Sequence, residues 1–175
     1  VYTTHNETGT GICNPIREIG ALAHRYGATF VVDTTSTLAM RPIDVARDNI
    51  DFCMASAQKG IMAMTGLSFV IGRTDLIVAS KDYPKRSYYC NLYLQYEYFE
   101  KTGQMHFTPP VQTVYAAVQG LKEYFAEGEI AKWERHKRVF EAIHTGLAEL
   151  GFKDVIRREW QSGLVVSVLY PDDPN

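Results

Sequence analysis

Lys59 and Asp33 are the two side chains whose types and settings could do chemistry together. Lys59 closes the run Phe52-Cys53-Met54-Ala55-Ser56-Ala57-Gln58-Lys59, in which an apolar strand delivers a primary amine to its C-terminal end; Gly60 and a Met- and Gly-containing loop follow at once. Asp33 ends a second apolar run, Thr29-Phe30-Val31-Val32-Asp33, and the hydroxyl tract Thr34-Thr35-Ser36 comes next. Taken alone, a lysine reads as a solvated surface charge, since Lys is seldom buried without a partner. A lysine and an aspartate at the ends of two buried strands point elsewhere. The amine can condense with an aldehyde and the carboxylate can keep a ring nitrogen protonated, the pair that a pyridoxal 5'-phosphate site needs.

The elements that must position this pair alternate along the chain. Residues 1–5 read as the interior of a strand. Asn14 caps a helix with Pro15 at its first position, and Ile16, Ile19, Ala23 and Tyr26 recur at helical spacing until Gly27 stops it. Val31 and Val32 are consecutive β-branched residues with no polar alternation, which predicts a strand covered on both faces in a parallel sheet. A short helical stretch at 44–47 leads to the strand at 51–56, and 67–71 makes a further strand. This alternation predicts a three-layer α/β/α sandwich.

Beyond Thr74 long helices take over. Tyr88, Tyr89, Tyr93, Tyr96 and Tyr98 crowd residues 87–101, a composition read as aromatic packing at a domain or subunit interface in preference to ligand contact. Thr108-Pro109-Pro110 opens a helix with Val111, Val114, Tyr115, Val118, Leu121 and Phe125 on one face, closed by Gly128. The next helix has Trp133, Phe140, Ile143, Leu147 and Leu150 as its buried stripe and Gly151 as its stop. Residues 152–156 and 164–170 read as two strands of a smaller sheet. The expected division is residues 1–130 as part of a large domain and 131–175 as the start of a small C-terminal α+β domain. With a strand-like beginning and no initiator Met, the chain reads as a fragment of a longer protein.

Composition narrows the function. The 175 residues are 46% hydrophobic and 22% charged with a formal net charge of -2, enough for one sizeable core. No basic stripe is present to follow a nucleic-acid backbone, and Lys81, Lys85 and Arg86 read as a solvated loop. Cys13, Cys53 and Cys90 are odd in number and far apart, as expected for reduced thiols in a cytoplasmic protein rather than for disulfides or a zinc site. No signal peptide, membrane span or metal-ligand spacing is visible, and the histidines form no Ser/His/Asp or Cys/His arrangement. Thr108, directly before Pro109-Pro110, is a candidate N-cap at a helix terminus able to hold a phosphate; a cap alone is the alternative.

Four segments in order resemble the class V aminotransferases, a branch of the fold-type I pyridoxal phosphate enzymes: His5-Asn6-Glu7-Thr8-Gly9-Thr10-Gly11, Val32-Asp33-Thr34-Thr35-Ser36, Ser56-Ala57-Gln58-Lys59 and Phe107-Thr108-Pro109-Pro110. The resemblance covers nearly all of the chain. It implies that Lys59 attaches the cofactor and moves the substrate proton, while Asp33 pairs with the pyridine nitrogen. Thr8 is implied to hydrogen-bond near the ring oxygen, Thr35 to pack on the ring face, and Gln58 to contact the phosphate. Thr108 is implied to reach the cofactor phosphate of the neighbouring subunit. Gly9 stands where the family often has a small hydroxyl residue, and Met105 where some relatives have tyrosine.

Within the class, Arg86-Ser87-Tyr88-Tyr89 through Tyr93 and Phe107-Thr108-Pro109-Pro110-Val111-Gln112-Thr113 look most like the 2-aminoethylphosphonate:pyruvate transaminases, followed by the alanine:glyoxylate and serine:pyruvate aminotransferases. This implies ping-pong transfer of the amine of 2-aminoethylphosphonate to pyruvate, giving phosphonoacetaldehyde and alanine, in a homodimer whose partners are an amino donor and a 2-oxo acid. The family's upstream phosphate loop, ring-stacking aromatic and downstream substrate arginine have no match, so this stretch by itself is expected to be inactive. A reading of another class stands beside it: a cofactor-free interaction fragment built on the aromatic helices.

Overall fold

The computed structural model describes residues 1–171. Its sheet has four strands in the order β1 (Tyr2–Thr4), β2 (Val31–Asp33), β3 (Phe52–Ser56) and β4 (Ser68–Gly72). The first three are parallel, with Thr4 beside Asp33 and Asp33 beside Met54; β4 runs antiparallel along β3, from Phe52 opposite Gly72 to Ser56 opposite Ser68. The carboxyl ends of β1, β2 and β3 therefore share one edge of the sheet.

One face of the sheet is covered by α1 (Ile16–Arg25), whose Ile16 and Ala23 pack with Phe30, Val32, Ile50 and Cys53. Phe30 and Val32 are fully buried, each such side chain contributing about 1.5–3 kcal/mol. Below this core Asp51 is a buried charge. It accepts from the Phe30 amide at 2.8 Å, pairs with His24 Nε2 at 2.9 Å and accepts from Arg73 Nη1 at 3.0 Å. Burial works to raise its pKa, but the Phe30 amide, His24 and Arg73 outweigh it and hold the carboxyl below the usual range. The buried carboxylate thus ties the start of β2 and the end of α1 to the residue after β4.

Several local expectations are corrected. Asn14 does not cap α1: the cap position is Pro15, and Asn14 Nδ2 donates instead to the Thr4 carbonyl at 2.7 Å, fastening the chain to the end of β1. Tyr26 is 77% exposed, because the helix has turned its buried side to Ile16, Gly20 and Ala23. Residues 44–47 form turns rather than a helix; Asp44 Oδ1 accepts from the amides of Ala46 and Arg47, an alternative to helical bonding that Asp side chains offer. Residues 152–156 and 164–170 do not become strands. Only the Asp154–Val168 bridge forms, with Val155 donating to Ser167 and Leu169 to Lys153, and an isolated pair of this kind is marginal in water.

The second half supplies α2 (Thr74–Ala79), α3 (Leu92–Thr102), α4 (Val111–Glu127) and α5 (Glu129–Glu149), with the last two meeting at Gly128. The apolar face read on α4 turns largely outward: Tyr115 is 74% and Phe125 75% exposed, whereas Thr113 and Ala117 are buried. On α5, Phe140 is buried as expected, but Ile143 and Leu150 are exposed and Lys132 takes the second buried place. Residues 172–175, the end of the expected second domain, lie outside the described residues.

Candidate active site

In an open α/β sheet, ligands bind in the crevice beyond the carboxyl ends of the strands. Here three parallel strands present those ends side by side, and each feeds a loop carrying expected site residues. Beyond β1, the His5 amide donates to the Asp33 carbonyl at 2.9 Å, and a tight loop follows in which the Glu7 carbonyl accepts from Thr10 and Gly11. Thr8 lies exposed on that loop. Beyond β2, Asp33 Oδ1 accepts from the Thr35 amide at 2.9 Å, and Oδ2 accepts from the Tyr2 hydroxyl at 3.3 Å. These two bonds orient the carboxylate without a cation partner among the described residues.

Beyond β3 the strand stops at Ser56, so Lys59 sits on the turn that follows rather than on the strand itself. The turn is closed by the Met62 amide donating to the Lys59 carbonyl at 2.9 Å and by Ala63 donating to Ala57 at 3.0 Å. Gln58 and Lys59 are exposed. Gly60 is buried against the loop that follows β2: a Cβ there would lie 1.9 Å from the Leu38 carbonyl oxygen.

Thr8, Asp33, Thr35, Gln58 and Lys59 therefore come together at one edge of the sheet. Thr108 makes no hydrogen bond to them among the described residues. It is exposed, and it is not the cap of α4; that position belongs to Pro110, and no side chain caps the helix. A proline at the cap position has no hydroxyl to offer, so the first amides of α4 lack a side-chain partner. Next to Thr108, Tyr88, Tyr89, His106 and Phe107 form a ring cluster with centroids 4.6–5.5 Å apart, although Tyr88 and Tyr89 remain two-thirds exposed.

Behind the edge lies a polar layer that sequence reasoning passed over. His5 is buried with Nδ1 3.0 Å from Thr37 Oγ1; burial, helped by Arg41 and opposed by Asp48, lowers its pKa to about 4. Asn6 is fully buried, donating to Ser36 Oγ at 2.9 Å and accepting from it through its backbone carbonyl at 3.1 Å. Its Oδ1 and the buried Ser56 hydroxyl have no hydrogen-bond partner among the described residues. Ser56 stood inside the Ser-Ala-Gln-Lys motif, and its unusual polarity at the end of an apolar strand was the available signal. Burial raises the pKa of the Cys13 and Cys53 thiols, which suits packing rather than nucleophilic attack. Among the described residues no group of three His, Cys, Asp or Glu side chains could hold a metal ion, and no helix is long and apolar enough to cross a membrane.

A carboxylate at the end of β2 and a primary amine on the turn after β3 lie beside one another on an α/β sheet, a placement that suits a ligand bound beyond the strand ends. The family model described as Aminotransferase class-V matches residues 1–169, and the chain belongs to that family. It is 39% identical over 176 aligned residues to a 2-aminoethylphosphonate–pyruvate transaminase of Salmonella heidelberg strain SL476, an alignment covering 99% of this chain and 48% of that protein. The chain thus spans about half the length of the curated relatives it matches. Among solved structures, an alanine–glyoxylate aminotransferase from Nostoc sp. superposes with a TM-score of 0.90 at 25% identity, covering 98% of this chain and 46% of that one. A pyridoxamine–pyruvate aminotransferase from Mesorhizobium loti gives a TM-score of 0.89 at 24% identity, over 98% and 45% of the two chains. The fold is that of the fold-type I aminotransferases over the part covered.

The family's cofactor is pyridoxal phosphate, and the residues present fit it. Lys59 is an exposed primary amine, the kind of group that condenses with an aldehyde, and the Asp33 carboxylate has no cation partner among the described residues and is held by the Thr35 amide.

Proposed function

We propose that the protein carrying this chain is a pyridoxal phosphate-dependent aminotransferase that moves the amine of 2-aminoethylphosphonate to pyruvate, yielding phosphonoacetaldehyde and alanine. The observation that carries the reaction type is the placement of Asp33 at the carboxyl end of β2 and of Lys59 just beyond that of the adjacent parallel β3, with Asp33 in register with Met54. The substrate choice is supported by the 39% identity to the Salmonella transaminase.

Bound here, pyridoxal phosphate supplies an electron sink that acidifies the carbon bearing the substrate amine. Lys59 would anchor the group and carry the proton between that carbon and the C4′ of the cofactor, the shift that moves the amine. Asp33, fixed by the Thr35 amide, holds a proton on the ring nitrogen. Thr8 bonds near the ring oxygen, Thr35 packs on the ring face and Gln58 contacts the phosphate. Thr108 serves the phosphate of the partner protomer in a homodimer. The outward apolar side of α4 and the exposed tyrosine cluster support such an assembly, and the three free thiols support a reducing, cytoplasmic setting. Residues 1–130 belong to the cofactor-binding domain and 131–175 begin the smaller one. Amine donation and acceptance share one site, so kinetics are ping-pong.

The test compares 2-aminoethylphosphonate with serine as donor, and pyruvate with glyoxylate as acceptor, following the visible absorbance of the protein-bound cofactor. A phosphonate carries up to two negative charges and three acceptor oxygens, unlike a planar carboxylate, so a site built for one discriminates against the other. Faster reaction with 2-aminoethylphosphonate and pyruvate is expected. Preference for serine or glyoxylate would shift the reading to the alanine:glyoxylate or serine:pyruvate branch, and no absorbance change with any donor would leave a non-catalytic interaction role.

A further inference from the structure

The turn that carries Lys59 is held by a cation from far along the chain. Lys132 on α5 is only 3% exposed, and its Nζ donates to the carbonyl oxygen of Gly60, the residue after Lys59. The ammonium also lies 5.3 Å from the centre of the Tyr124 ring. Glu127, the acid that acts on it electrostatically, is engaged at both oxygens by Arg135, at 2.6 and 2.9 Å. Among the described residues Lys132 has no carboxylate partner, so its buried charge is met by one carbonyl and the face of one ring. Burial lowers its pKa, with Arg135 adding to the effect against Glu127.

An ammonium is costly to desolvate, and an apolar side chain would fill the same space more cheaply. What the lysine adds is direction. The turn is also closed in by α4, where a Cβ on Gly120 would lie 2.4 Å from the Ile61 carbonyl oxygen, and Met62 completes it at a left-handed φ of 59°. These contacts hold the turn from two sides, and without Lys132 the buried Gly60 carbonyl would lose its side-chain donor, a cost that only a shift of the turn can relieve.

We infer that Lys132 is a positioning residue: by donating to the Gly60 carbonyl it sets the orientation of the backbone that presents Lys59 to the cofactor and substrate. The inference rests on the reading of Lys59 as the cofactor-attaching amine. Lys132 touches no reacting atom, and its effect passes through the Gly60–Ile61 peptide. A misplacement of about 1 Å in a reacting group is enough to lower a rate by roughly a hundredfold.

The experiment uses holoenzyme of the protein carrying this chain, in parent, Lys132→Met and Lys132→Arg forms. Lys137→Met on the same helix, an exposed lysine paired with Glu134, is the control. Steady-state kinetics, thermal unfolding and borohydride trapping of pyridoxal phosphate, located by mass spectrometry, are read on each. Lys132→Met is expected to unfold cooperatively and keep cofactor on Lys59, while kcat falls about 10- to 100-fold and KM stays within about threefold. Lys132→Arg, which keeps a charged donor, is expected to recover most of the loss, and Lys137→Met to match the parent.

Parent-like kcat in Lys132→Met overturns the inference, as does a loss in kcat that Lys132→Arg does not reduce. If Lys132→Met does not fold, Lys132→Gln, which keeps a shorter donor, takes its place; failure of both to fold makes Lys132 structural and also overturns the inference. Cofactor trapped away from Lys59 in the parent refutes the reading of Lys59 itself, an outcome separable from parent-like behaviour of Lys132→Met with Lys59 labelled.

Discussion

The backbone of Gly60 lies so close to the carbonyl oxygen of Leu38 that a Cβ on residue 60 would sit 1.9 Å from it and 2.8 Å from Met40 Cγ. This contact docks the turn after β3, which carries Lys59, onto the loop after β2, which carries Thr35. The nearer obstacle is backbone, so no rotamer change relieves it. Gly60→Ala should therefore cost about 1–3 kcal/mol as an overpacked site and reduce covalent cofactor attachment as the two loops separate. Thermal melts and the visible absorbance of the holoenzyme check this; unaltered values for both would show that the loops are not docked as described.

Lys59 is exposed and its side chain makes no hydrogen bond among the described residues, so the fold does not depend on it. Lys59→Ala should leave the melting temperature close to that of the parent while abolishing borohydride-stable attachment of pyridoxal phosphate. Label found on a different lysine in the parent would remove Lys59 from its role.

Asp33→Asn keeps the acceptor that receives the Thr35 amide and removes the negative charge. The fold should persist and turnover should drop by about two to four orders of magnitude, or ~3 to 5 kcal/mol in the barrier. The decisive quantity is the single-turnover rate with saturating donor. A rate near that of the parent would mean that another group, or none, keeps the ring nitrogen protonated.

His5 gives the fold a pH dependence. Burial is the main cause of its lowered pKa, about 4, with Arg41 adding and Asp48 opposing, whereas the unfolded chain takes up this proton near pH 6.5. Between those values the unfolded state binds more protons, so the stabilisation present above about pH 6.5 declines as pH falls toward 4, by roughly 3 kcal/mol at most. His5→Asn should flatten the dependence of urea-unfolding free energy on pH within this window, measured as the difference from the parent. An identical slope in the two proteins would assign the dependence to other groups.

The candidate groups were legible in short runs of residues. Val31-Val32-Asp33 declares a strand with a carboxylate at its end, because side-chain polarity and β-branching act locally; the run ending at Lys59 declared the next strand but not that it would stop at Ser56 and leave the amine on the turn. The fold class followed from the same local alternation, and the family resemblance followed from motifs in order. Capping was less secure. Asn14 and Thr108 are both good cap residue types, yet Asn14 found a better acceptor in the Thr4 carbonyl and the cap of α4 fell on Pro110. A propensity near an element's end specifies no partner when a tertiary one competes.

What only the tertiary structure decided is which faces are covered and which distant groups meet. Helical periodicity identified an apolar stripe on α4 but could not say that Tyr115 and Phe125 lie in the open while Ala117 is enclosed, since an amphipathic pattern does not name what packs against it. Lys132 meets Gly60 across 72 residues of sequence, and Gly60 meets Leu38 through backbone atoms that every residue possesses. Neither contact leaves a pattern in neighbouring side chains. Local chemistry singled out Lys59 and Asp33 as candidates from the sequence alone; the close approach of three chain segments, a matter of long-range packing, determined how the turn carrying Lys59 is held.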